Sequence, residues 1–136
     1  MLVMPDDSPH TGSLEVLYDE RWRAVEEVFK VIRDKVVGNA FVEVFCDYLL
    51  TRTGQSDVLK LLRYDASFLY NLAVSFFGSE EAVRTLIVVS LRHLLVDSLS
   101  EADRISLRLI EAFKNGDLDS ILDLSCEILL KLKFKS

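Results

Sequence analysis

Ser90, His93 and Asp97 bring together the three side-chain types of a hydrolytic triad. At ~100° per residue they point into an arc of about 60° on one helix, predicted from Ala82 to Leu99. A working triad, however, presents its serine to substrate beside oxyanion donors. Consecutive turns of one regular helix have their backbone N–H groups already bonded, so no donor is free to do this. The expected roles are therefore structural: His93 hydrogen-bonds Asp97 one turn on, and Ser90 bonds the carbonyls of its own helix. A buried polar contact across an interface is the alternative for the same residues.

Arg92 stands next to His93, and the pair invites comparison with the helical HEPN ribonucleases, whose signature sets an arginine several residues before a histidine at a dimer interface. The spacing differs here. Arg92 is adjacent to His93, Arg84 lies further upstream, and no other arginine falls between them, so no residue is carried over from that family. Glu43 and Asp47 form a carboxylate pair one turn apart that could share a proton or meet a divalent ion. Helical di-iron sites draw Glu and Glu-x-x-His from several helices, whereas the histidines here are His10 and His93, and neither lies in such a motif. The pair reads as a solvated acidic stripe, and no metal site is expected. The five glycines are single punctuation marks and not a phosphate loop, so no nucleotide or other cofactor is expected either. Tyr18 and Trp22 are large aromatics on one seam, suited to a core or to anchoring an interface.

The chain that must position these residues has 136 of them, enough for one compact core. Half are apolar and the mean hydropathy is +0.23. The longest strictly apolar stretch, around Leu86 to Val89, falls far short of the ~20 residues that a bilayer span needs. No basic and apolar leader is visible at the N-terminus, so a cytoplasmic location is expected. A net charge of -6 opposes nonspecific contact with phosphate backbones, which disfavours nucleic acid without excluding it. Cys46 and Cys126 sit among apolar residues without a near partner and read as buried thiols.

Residues 1–12 carry both prolines and little periodicity, so they read as a flexible lead to a helical domain over 13–136. Tyr18, Trp22, Val25, Phe29, Ile32 and Val36 then recur at helical spacing, opposite a face of Glu20, Arg23, Glu26, Glu27, Lys30 and Asp34. Gly38-Asn39 closes that helix. A second runs from about Ala40 to Arg52, with apolar residues around most of its circumference, and is expected to be largely buried. Ser56 can cap a third that reaches Phe76, with Asp65 a point of interruption. Ser79 caps the helix of Ala82 to Leu99, with Glu80 and Glu81 in its first turn. Ser100 with Asp103 resembles a capping box for a helix with Ile105, Leu109 and Phe113 inside. Asp117 caps a last helix ending in Lys131, Lys133 and Lys135, cations suited to a helix C-terminus.

The pattern predicts an all-α bundle of about six helices with no sheet. A helix that is apolar all round must be covered on all sides, and one small bundle has few central positions. The surplus is most simply hidden in a symmetric dimer. The expected function is a non-enzymatic interaction or scaffold protein, self-associating or part of a larger assembly, with no small-molecule ligand. Tyr18, Trp22, Arg92, His93 and Asp97 are its candidate interface or polar residues. Two other classes compete: a ribonuclease or other hydrolase using Arg92 and His93 across a dimer interface, and a nucleic-acid-binding subunit with Arg63, Arg104, Arg108 and Lys114 on a basic face.

Overall fold

The computed structural model describes residues 19–135, which form seven helices and no strand. The lead, His10 and Tyr18 lie outside the described residues. Helix α1 covers residues 19–32 and runs into a π-helical turn, Arg33–Val37, where the Gly38 N–H donates to the Arg33 carbonyl at 2.7 Å. Gly38 takes φ 88° and ψ 154°, a conformation that is almost closed to residues with a Cβ, and sends the chain into α2, Asn39–Thr53. Next come α3, Val58–Tyr64, and α4, Ala66–Phe77. The remaining three are α5, Glu80–Leu94; α6, Leu99–Asn115; and α7, Leu118–Lys135.

The extra helix relative to the expected six comes from Asp65. Its extended backbone, φ -162°, closes α3, and its carboxylate accepts from the Phe68 N–H at 3.1 Å to open α4. Asp57, not Ser56, caps α3, accepting from the Leu59 and Lys60 N–H groups. Ser98 stands at the start of α6, so Ser100 and Asp103 lie inside that helix and form no capping box. Ser79 and Asp117 do cap as expected, accepting from the Ala82 and Ser120 N–H groups.

Helix α6 is the hub. It packs against α4, α5 and α7, and it supplies residues to all three apolar clusters. Ala112 joins Trp22, Leu61 and Leu122 in the first, Ala102 and Ile105 join Leu91 and Ile128 in the second, and Ile110 meets Tyr70 and Val83 in the third. Small residues allow the close approach, and the buried Ser106 satisfies itself by donating to the Ala102 carbonyl at 2.7 Å.

Helix α2 overturns its expectation. Leu49 is its one buried side chain, while Val44 and Leu50 are 57% and 50% exposed. Its inner side is aromatic: Phe41, Phe45 and Tyr48 meet Phe76 and Phe77 of α4 at centroid distances of 5.0 to 6.2 Å. The rings hold α2 against the end of α4, at the edge of the bundle rather than inside it.

Candidate functional site

The residues singled out by their chemistry separate. Helix α5 ends at Leu94, with Leu95 at φ -113° and ψ 46°, so Asp97 lies in the turn beyond and not one helical turn from His93. His93 is exposed, whereas Ser90 is 2% exposed. A triad therefore does not assemble. The expected self-bonding of Ser90 is also overturned: its buried Oγ has no hydrogen-bond partner among the described residues. Trp22 is buried in the first cluster, with the Arg63 guanidinium 5.1 Å from its ring centroid, so it serves the core and not an exposed interface.

Arg92 makes a two-pronged contact that joins α5 to α6. Its Nε donates to Asp103 Oδ1 at 2.8 Å and its second N–H group to Oδ2 at 2.7 Å. The contact pushes the guanidinium pKa up and holds the Asp103 carboxyl below its usual value. Val89 lies one turn before Arg92, and Leu99 one turn before Asp103, so the ion pair draws both to one side of the molecule. Val89, Val96 and Leu99 are 54%, 56% and 45% exposed. This aliphatic strip was not singled out from the sequence. The charges of Arg92 and Asp103 on either side of a short connection were its available signal.

The basic residues proposed for a nucleic-acid face are spread over carboxylates. Arg104 donates to Glu101 at 2.9 Å and also to Glu127, and Lys131 meets Glu101 at 3.2 Å. The hydrogen bonds from Arg104 and Lys131 pull the Glu101 pKa down to about 2. Lys114 pairs with Glu80 at 3.3 Å, and Arg108 lines a surface hollow beside Glu111 and Asp117. Arg104, Lys114 and Lys131 tie helices together; Arg21 does the same, joining α1 to Asp123 of α7 at 2.8 Å. Glu43 and Asp47 are both exposed, and among the described residues no three His, Cys, Asp or Glu side chains converge as metal ligands would. Cys46 and Cys126 are half-buried and not buried, each a free thiol whose pKa burial pushes up.

Where the helices converge, the interior is not filled. A cavity of about 250 Å³ is lined by residues from every helix, among them Val28, Phe45, Leu62, Ala73, Leu86 and Phe113. Its hydroxyl-bearing residues are Tyr70, Ser90 and Ser125. The Tyr70 hydroxyl is engaged, donating to Glu80 Oε2 at 2.9 Å, and burial with that bond raises its pKa to about 12.

No protein-family model matches the chain, and neither a curated protein nor a solved structure shows detectable similarity to it. What can be said of its class is that it is a single-domain all-α bundle. Among the described residues, no helix is long and apolar enough to cross a membrane.

Proposed function

We propose that the protein is a non-enzymatic helical interaction module that works as a homodimer, joined through the strip where α5 turns into α6. The observation that carries this reading is the exposure of Val89, Val96 and Leu99 beside the Arg92–Asp103 pair. Exposed aliphatic side chains gain from being covered in proportion to the area removed from water, and arginine is favoured at protein interfaces. The strip holds a cation together with its anion. Two copies related by a two-fold axis therefore offer each other matched charge as well as matched aliphatic surface. His93, exposed on the same segment, sits at the edge of this contact.

The ribonuclease reading has less support, because the Nε edge of the Arg92 guanidinium, which a phosphate would also use, is committed to Asp103. Light scattering at micromolar concentration tests the dimer. The wild type is expected at twice the 15.5 kDa chain mass, and the double variant Val96→Glu, Leu99→Glu at the chain mass with an unchanged helical spectrum. A wild type that scatters as a single chain overturns the reading.

A further inference from the structure

We propose that the central cavity is a binding site for a small neutral molecule, mostly hydrocarbon, that carries one hydroxyl or carbonyl group, with Ser90 as its polar contact. Three observations converge on this. The space is large: about 150 Å³ of apolar cavity in a helical protein already stays dry and takes up benzene, and here the volume is about 250 Å³. The walls are aliphatic and aromatic side chains drawn from all seven helices, in a pocket that opens on one side to solvent. One lining residue carries a hydroxyl with nothing to bond. Ser90 is 2% exposed, lines the cavity, and leaves its Oγ without a partner.

That last observation separates a ligand site from a packing defect. Helical serines ordinarily bond the carbonyl one turn back, as Ser106 does to Ala102. Buried polar atoms are otherwise nearly always satisfied. A hydroxyl or carbonyl on a guest would satisfy Ser90 while its hydrocarbon part fills the apolar volume. The same lining excludes a charged head group: among the described residues no Lys, Arg or His side chain lines the cavity, so an ionised carboxylate would be buried without a counter-charge. Phe41, Val42 and Phe45 of α2 form one wall, and the opposite side of that helix faces solvent.

The test uses the full-length protein with 1-octanol, n-octane and octanoate as probes, read by thermal shift and by titration calorimetry. Octanol is expected to raise the melting temperature saturably, octane to bind more weakly, and octanoate at neutral pH not to bind. Ser90→Ala should weaken octanol ~3- to 10-fold, the worth of one neutral hydrogen bond, and leave octane unchanged. Ala73→Phe, which fills the space from its wall, should abolish both. If Ala73→Phe fails to fold, the Ser90→Ala contrast between octanol and octane stands as the test. The proposal is overturned if octanol produces no saturable shift, if octanoate binds as well as octanol, or if Ser90→Ala weakens octane as much as octanol. It is equally overturned if nuclear Overhauser contacts show residues 1–18 of the chain itself filling the cavity and no probe enters.

Discussion

Helices α2 and α6 are of similar length, 15 and 17 residues, and their burial runs opposite to their apolarity. Helix α2 carries Phe41, Val42, Val44, Phe45, Tyr48, Leu49 and Leu50, and buries Leu49. Helix α6 carries Glu101, Asp103, Arg104, Arg108, Glu111 and Lys114, and buries Ala102, Ile105, Ser106, Ile110 and Ala112. Segregation makes the difference. The small and aliphatic residues of α6 recur three and four apart on one side, so its neighbours can close on them, and its charges pair outward with α5 and α7. The apolar residues of α2 surround it, and its large rings prop it against Phe76 and Phe77 and leave space beneath. The number of apolar residues in a helix is thus a poor guide to whether the helix is central.

The sharpest way to break this contrast is to truncate one side chain on each helix. Ile105→Ala, at a fully buried position of α6, is expected to lose about 3 kcal/mol of stability in urea denaturation. Leu50→Ala on α2 should change it by less than ~0.5 kcal/mol. Equal losses would place α2 in a covered environment and undo the comparison.

A smaller effect is expected at the joint that sets the course of α2. Gly38→Ala meets no atom within 4 Å, so any loss comes from forcing a Cβ into φ 88°. A destabilisation of roughly 1–3 kcal/mol is expected by thermal melting. No loss would mean that α2 relaxes freely around this joint.

The smallest effect concerns the charged side of α6. The Glu101 carboxyl titrates at about 2 in the fold, against 4.5 for an unperturbed group. Its depressed value contributes stability that is full above about pH 4.5 and is lost as the pH falls toward 2. Glu101→Gln should therefore lower the denaturation midpoint near neutrality and flatten its decline over that acid range. Added salt should shrink the difference, since the pair is solvent-accessible.

How much of this was legible in the sequence depends on the range of the interaction. Helix boundaries rest on local signals, so Gly38, Ser79 and Asp117 marked them. Asp65 was visible as an interruption, but its double role as the end of α3 and the cap of α4 needed its backbone angles. Ser90 and His93 share an arc on paper and differ in burial, because that depends on which neighbours cover α5. The ion pairs from Arg21 to Asp123, and from Arg104 to Glu127, span 102 and 23 positions and have no local signature. The cavity is the extreme case. It belongs to every helix at once and to the periodicity of none.

Trp22 is the only tryptophan in the chain, and it lies where α1 meets α3, beneath the Arg63 guanidinium. The molecule therefore contains one indole chromophore at one defined address. Its emission colour and quenching report the docking of the N-terminal helix alone, whereas circular dichroism averages over all seven helices. Any process that loosens α1 before the rest will shift the fluorescence first, and a fully cooperative bundle will move both signals together.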